Sequence, residues 1–119
     1  MSHIAAINLN DETYKELLNG NKPVLVEFWA PWCGYCRRIS SAIDRIAAAY
    51  HDRLVVGKVN IDEEPRLSEA AHIDLIPTLV LYRNGKPIGS ITAPDSKVQI
   101  DAFLQKALTG EEEPHGSDL

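Results

Sequence analysis

A run of six mostly apolar residues, Val24–Trp29, constrains the fold of this chain more than any other feature of its sequence. Such a run is typical of a strand that is buried on both faces of a sheet. Between Ile39 and Tyr50 the apolar residues recur at spacings of three and one, which predicts a helix. Leu54–Ile61 predicts a second strand. A strand, a helix and a strand in this order predict a right-handed βαβ unit with parallel strands.

The rest of the chain predicts shorter elements around this unit. A helix capped by Asn10 or Asp11 is expected to stop at Gly20, and Asn84-Gly85 is a strong hairpin signal. The other predicted elements are a strand at residues 3–8, a short helix from Pro65 to about Ala71, strands at Thr78–Arg83 and Lys86–Thr92, and a last helix that starts after Ser96 and ends at Gly110. This order indicates an α/β architecture, a mixed sheet with helices on both faces.

The length of 119 residues fits one domain, which we expect to span residues 1–109, with an acidic disordered tail at 110–119. The chain has 12 Lys and Arg against 17 Asp and Glu, a net charge of −5, which argues against nucleic acid and anionic membranes as partners. Its apolar runs are too short to span a bilayer, and its start lacks the pattern of a secretory signal. We therefore expect a cytoplasmic protein and a monomer.

The two cysteines, Cys33 and Cys36, lie between the buried strand and the long helix. Their number excludes a disulfide framework and a four-cysteine zinc site. A cysteine at a helix start faces unpaired N–H groups and the positive end of the helix dipole, which favour the thiolate. Cys33 is therefore the expected nucleophile toward a disulfide, and Cys36 is expected to resolve the mixed disulfide. An inert structural pair and half of a metal site are the alternatives, but the four histidines are scattered, and we expect no metal.

Several motifs together resemble the thioredoxin family. They are Phe28–Arg37 (FWAPWCGYCR), Val59–Asp62 (VNID), Ile76-Pro77-Thr78 and Asn84-Gly85, in the family's order between about residues 3 and 109. The resemblance implies the thioredoxin fold, a central five-stranded mixed sheet flanked by four helices, with a cis peptide bond before Pro77. It also implies a protein-disulfide reductase that acts on disulfide-containing proteins. Such an enzyme needs no cofactor beyond its redox-active Cys33–Cys36 disulfide, and it receives electrons from an NADPH-dependent flavoprotein reductase.

Glu27 lies in the middle of the apolar strand, where an ionised carboxylate is costly unless it is paired. Its pKa is therefore expected to be raised, which suits a group that moves protons. The resemblance points the same way, because thioredoxins usually have a buried aspartate here and the domains of protein disulfide isomerase have a glutamate. Lys58 matches a lysine near that acid in both groups. The alternative is a Glu27–Lys58 pair with a purely structural role.

The expected substrate surface around the cysteines is mostly apolar and suits an extended protein segment that carries a disulfide. In addition to Pro77, its residues are Trp32, Gly34, Tyr35, Ile76 and Thr92. Gly34-Tyr35 departs from the Gly-Pro of most thioredoxins, and Tyr35 has a backbone N–H that proline lacks. Thr92 is expected to replace a glycine that is common beside the groove, and the loop from Thr92 to Lys97 to be one residue longer than is typical.

The leading hypothesis is a thiol–disulfide oxidoreductase that reduces disulfides in partner proteins through a mixed-disulfide intermediate. The first alternative is a disulfide oxidase or isomerase of the same fold, because Glu27 is present and position 35 is not proline. The second is a thioredoxin-fold binding module without a redox function, which the acidic tail and Thr92 leave open. The reduction potential of the cysteine couple separates a reductase from an oxidase or isomerase.

Overall fold

The computed structural model describes residues 4–112, which form a five-stranded sheet in the order β1-β3-β2-β4-β5 and four helices. The strands are β1 (Ile7–Asn8), β2 (Val24–Trp29), β3 (Val55–Asn60), β4 (Thr78–Arg83) and β5 (Lys86–Thr92). The helices are α1 (Asp11–Leu18), α2 (Gly34–Ala49), α3 (Pro65–Ala70) and α4 (Lys97–Glu112). The first three strands are parallel, β4 is antiparallel to β2, and β5 is antiparallel to β4. The predicted mixed sheet and the predicted parallel βαβ unit are therefore confirmed.

The strand β2 lies at the centre of the sheet, with β3 on one side and β4 on the other. Successive side chains of a strand point to opposite faces. Leu25 accordingly packs in one core, whereas Val24, Val26 and Phe28 pack in the other. Glu27 lies two residues after Leu25 and therefore faces the same side of the sheet.

Helices cover both faces of the sheet. On the Leu25 face, α2 and α4 contribute the buried residues Ile39, Ile43, Ile46, Ala47, Ile100 and Leu104. On the opposite face, α1 and α3 contribute Tyr14, Leu17, Leu18 and Leu67. Complete burial of one large aliphatic side chain stabilises the fold by about 1.5–3 kcal/mol. Both cores therefore fix β2, and with it the segment that carries the cysteines.

Side chains set the ends of the elements much as the sequence predicted. Asn10 caps α1, because its Oδ1 accepts the N–H of Thr13 while the Thr13 hydroxyl oxygen accepts the N–H of Asn10. Ser96 precedes α4 and accepts the N–H of Gln99. Asn84 and Gly85 have φ values of 55° and 78°, and positive φ at both central residues is what a type I′ hairpin turn requires. The hairpin prediction is confirmed.

Several element boundaries differ from the predictions, and β3 is one residue shorter at each end than the predicted Leu54–Ile61. In the described part of residues 3–8, only Ile7–Asn8 is a strand, because only these two residues pair with β3. The prediction that Gly110 ends the last helix was wrong, since α4 continues to Glu112. A glycine inside a helix costs only about 1 kcal/mol relative to alanine. Residues 113–119 of the predicted tail lie outside the described residues, so the division at 109/110 stays a prediction. Within residues 4–112, no helix is long and apolar enough to cross a membrane.

The close contact between β3 and the segment after β1 leads to a stability prediction for Gly57→Ala. A Cβ at Gly57 would overlap the Leu9 side chain, which is itself buried. Because Gly57 is paired on both sides, with Ile7 and Val26, its backbone cannot shift freely. We expect the variant to lose about 1–3 kcal/mol of unfolding free energy in urea titrations. Gly34→Ala is the control, since the nearest atom to its Cβ would be 3.8 Å away, and equal losses in both variants would contradict the steric explanation.

Candidate active site

The cysteine pair lies where the central strand ends and α2 begins. Cys33 is the N-cap residue of α2, and its sulfur accepts the N–H of Cys36 at 3.1 Å, in the way that an N-cap side chain satisfies a free helix N–H. The two cysteines form a disulfide with their Cα atoms 5.2 Å apart. Cys33 is 8% exposed and Cys36 is 3% exposed, so the side chain predicted to be the resolving one is the more buried. The sequence placed Cys33 correctly at the helix start.

The environment of Cys36 disfavours its thiolate. In the reduced pair, burial raises the pKa of the Cys36 thiol to about 12, and a hydrogen bond with Cys33 and the charge of Glu27 add to the rise. A thiol with this pKa remains protonated at neutral pH and is a poor nucleophile until a base removes its proton. The second step of any exchange at this site therefore depends on a proton acceptor.

Glu27 has the burial and the charge state that such an acceptor requires. It is 1% exposed on the α2 side of the sheet, and its Oε1 has no hydrogen-bond partner among residues 4–112. The pKa of Glu27 is raised to about 7, mainly by burial; the charge of Lys58 opposes the rise and the charge of Asp44 adds to it. The raised pKa expected from the sequence is confirmed. A carboxyl group with a pKa near neutrality can both accept and return a proton at physiological pH.

Lys58 lies beside Glu27 in the register of β3 against β2. Its ammonium group is 4.6 Å from the centroid of the Trp29 ring, a distance at which a cation is attracted to the aromatic face. Among the ion pairs within 4.0 Å in the described part of the chain, none joins Lys58 to Glu27. Lys58 therefore acts on Glu27 through its electric field, without a direct ion pair.

The loop before β4 forms the other wall of the site. The Ile76–Pro77 bond is cis, which confirms the geometry implied by the family resemblance. Ile76 packs against the cysteines together with Tyr35. The carbonyl of Pro77 accepts the N–H of Ala93 at 2.8 Å, so the turn after β5 is joined to this loop.

Thr92 is the last residue of β5. Its hydroxyl lies 3.2 Å from the hydroxyl of Thr78, its partner across β4 and β5. The residue with the backbone conformation that favours glycine is Ala93, whose φ is 50°. The prediction that Thr92 replaces a glycine beside the groove stays a prediction. No alternation pattern predicts a positive φ at an alanine.

Two further residues beside the predicted ones, Asp62 and Leu75, were missed by the sequence reasoning. Trp32 is 65% exposed, and its indole N–H donates to Asp62 at 3.0 Å. Asp62 follows β3, and parallel strands deliver their following residues to one edge of the sheet, which was the available signal. Leu75, directly before Ile76, is also 65% exposed, and no pattern in the sequence distinguished it.

Tyr35 and Gly34 occupy the two positions between the cysteines. The Tyr35 hydroxyl donates to the carbonyl of Ala93 at 2.9 Å, and the Arg38 guanidinium lies 5.0 Å from the Tyr35 ring centroid. Gly34 is exposed at the start of α2. The donor to the Cys33 sulfur is the N–H of Cys36. Within residues 4–112, no group of three or more histidines, cysteines and acids is arranged to hold a metal ion.

A cysteine pair at a helix N-terminus, beside a buried acid and a cis-proline loop, defines a thiol–disulfide oxidoreductase of the thioredoxin fold. The model of the Thioredoxin family matches residues 5–106. The chain is 38% identical to a thioredoxin of Alicyclobacillus acidocaldarius over 104 residues, which cover 87% of this chain and 99% of that protein. It is 39% identical to thioredoxin 1 of a Nostoc species over 105 residues, with coverages of 87% and 98%. The chain belongs to the thioredoxin family, and it is a protein-disulfide reductase.

Proposed function

We propose that Cys33 is the attacking thiolate and Cys36 the resolving thiol. The Cys33 thiolate attacks one sulfur of a substrate disulfide, a Cys33–substrate bond forms, and the other substrate sulfur leaves as a thiolate that takes up a proton. Cys36 then loses its proton and attacks the Cys33 sulfur, which releases the second substrate thiol. Two electrons pass from the cysteine pair to the substrate, and the pair ends as a disulfide. The observation that carries this assignment is the placement of Cys33 as the N-cap of α2 with Cys36 more deeply buried.

Glu27 is proposed as the base that takes the Cys36 proton. The electrostatic coupling supports this role, because the charge of Glu27 contributes to the raised pKa of Cys36. A base of pKa about 7 can take up the proton at neutral pH and return it when the pair is reduced again. Lys58 lowers the pKa of Glu27 and so keeps part of the population ionised.

The substrate is proposed to be an extended protein segment that contacts the apolar rim of the site. The proposed contact residues are Trp32, Gly34, Tyr35, Ile76 and Pro77, with Thr92 at the outer edge. Exposed Trp32 supports this choice, since a large ring with a polar edge suits protein surfaces.

We propose that the protein works as a monomer in the cytoplasm, in electron transport and redox homeostasis, with electrons from an NADPH-dependent flavoprotein reductase. A dithiol that must be reduced after every turnover fits a reducing compartment. The exchange chemistry needs only the two side-chain sulfurs, so no bound cofactor is proposed.

An insulin reduction assay tests the chemistry and the donor separately. With dithiothreitol as the reductant, the protein should accelerate the precipitation of reduced insulin chains over dithiothreitol alone. With NADPH and a bacterial thioredoxin reductase instead, NADPH oxidation should depend on the added protein. The variant with both cysteines changed to serine is the control and should be inactive with either donor. Acceleration with dithiothreitol but not with NADPH would contradict only the proposed donor.

An oxidase or isomerase role is the second candidate, and the observation that favours it is Glu27 beside a motif without proline at position 35. Equilibration with glutathione buffers, followed by quantification of the reduced protein, separates the two roles. A reductase should show a potential more negative than about −220 mV, whereas an isomerase would lie near about −180 mV.

A further inference from the structure

Tyr35 links the cysteine motif to a turn that is distant in sequence. Its hydroxyl donates to the carbonyl of Ala93 across 58 residues, and its ring packs against the cysteines. Arg38 lies over the same ring, one turn further along α2. The ring and the hydroxyl are therefore both fixed by the protein itself, so the Tyr35 hydroxyl is already engaged before any substrate binds.

Ala93 has a backbone conformation that it does not adopt without support. Its φ of 50° lies in the left-handed region, which disfavours residues with a Cβ. Two hydrogen bonds hold it there, one from its N–H to the carbonyl of Pro77 and one from the Tyr35 hydroxyl to its own carbonyl. A residue strained in this way persists only while the surrounding contacts fix it.

These contacts form a closed ring around the site. Tyr35 is adjacent to Cys36, and its hydroxyl donates to the carbonyl of Ala93. The N–H of Ala93 donates to the carbonyl of Pro77, and the neighbouring Ile76 packs against the cysteines. We propose that Tyr35 is a positioning residue, which fixes the cis-proline loop for protein substrates through its hydrogen bond to Ala93. The inference rests on the proposed role of that loop as a wall of the substrate groove.

The consequence is a preference among substrates. A protein segment must contact the loop at Ile76 and Pro77 as well as Cys33, and a fixed loop lowers the entropy lost on binding. A small disulfide reagent needs little more than access to the Cys33 sulfur. Loss of the Tyr35 hydroxyl should therefore slow the reaction with a protein disulfide more than the reaction with a small one.

The test compares two second-order rate constants of the pre-reduced protein, one with insulin and one with 5,5′-dithiobis(2-nitrobenzoic acid). The reaction with the small disulfide also corrects for any change in the reactivity of Cys33 itself. In Tyr35→Phe, the ratio of the insulin constant to the small-disulfide constant should fall about fivefold, the factor that corresponds to one hydrogen bond. Tyr50→Phe is the matched control, because Tyr50 follows the same helix and its hydroxyl bonds to Asp101 on α4, away from the cysteines.

A second variant separates positioning from direct contact with the substrate. Glycine adopts positive φ freely, so Tyr35→Phe combined with Ala93→Gly should keep the turn in place and recover most of the lost ratio. An unchanged ratio in Tyr35→Phe, an equal fall in Tyr50→Phe, or a fall that Ala93→Gly does not recover would each overturn the inference. If the unmodified protein fails to reduce insulin at all, the proposed function is overturned instead.

Discussion

Replacement of Cys33 by serine should reduce the rate of insulin reduction to that of dithiothreitol alone. A serine hydroxyl at the helix start stays protonated at neutral pH and cannot attack a disulfide sulfur as a thiolate does. Cys36 cannot take over the attack, since it is 3% exposed and its raised pKa keeps it a thiol. The turbidity assay measures this loss directly.

Cys36→Ser should give the complementary result, an accumulated mixed disulfide between Cys33 and the substrate. The first attack is intact in this variant, but no thiol remains to resolve the intermediate. Non-reducing electrophoresis and peptide mass spectrometry should locate the bond at Cys33. The double serine variant is the control and should trap no substrate. Trapping through Cys36 in the Cys33→Ser variant, at a similar yield, would contradict the assigned roles.

The second large effect is expected at Glu27, where glutamine should stabilise the oxidised protein at alkaline pH. The folded protein raises the pKa of this carboxyl from the ordinary 4.5 to about 7. A raised pKa means that the native state holds the proton more tightly than the unfolded state. The stability associated with Glu27 is therefore present below pH 4.5 and lost as the pH rises through 7. This pKa shift corresponds to a loss of about 3 kcal/mol of unfolding free energy above pH 8, compared with a protein whose residue 27 is uncharged.

Urea unfolding of the oxidised protein at pH 4.5 and pH 8.5 checks this expectation. The unfolding free energy of Glu27→Gln should exceed that of the unmodified protein by about 3 kcal/mol at the higher pH and by much less at the lower. Glu16→Gln removes an exposed carboxylate and is the control. A gain that does not depend on pH would show that the side chain's shape, and not its ionisation, is responsible.

The same variant tests the proposed proton transfer separately from stability. Without a base, the resolving attack of Cys36 should slow on the order of 10²-fold near pH 7, and the mixed disulfide should accumulate transiently. The rate should recover as the pH rises and hydroxide removes the Cys36 proton. A purely structural role of Glu27 would leave the pH profile of this step unchanged.

The features that the sequence predicted well are those encoded within a few neighbouring residues. The apolar run of β2 and the stripe on α2 define a strand and a helix by their periodicity, and their junction places Cys33 at a helix start. Glu27 was identifiable because a carboxyl in an apolar strand has few means of being satisfied. In each case the local pattern and the tertiary structure favour the same outcome.

The features that it missed depend on contacts between distant segments. Tyr35 and Ala93 meet across 58 residues, and Trp32 and Asp62 across 30, so each contact requires the register of strands that the pattern alone does not fix. The positive φ of Ala93 was invisible because no glycine marks it.

The two edges of the sheet affect how the protein behaves when it is concentrated. β1 offers only two residues at one edge, and β5 at the other edge carries the exposed Pro87 and pairs with β4 through a register shift between Leu81 and Tyr82. Short strands, proline and irregular pairing leave few aligned N–H and C=O groups for a second chain to extend the sheet. Accumulation to high levels should therefore carry little risk of fibril-like aggregation from the native state.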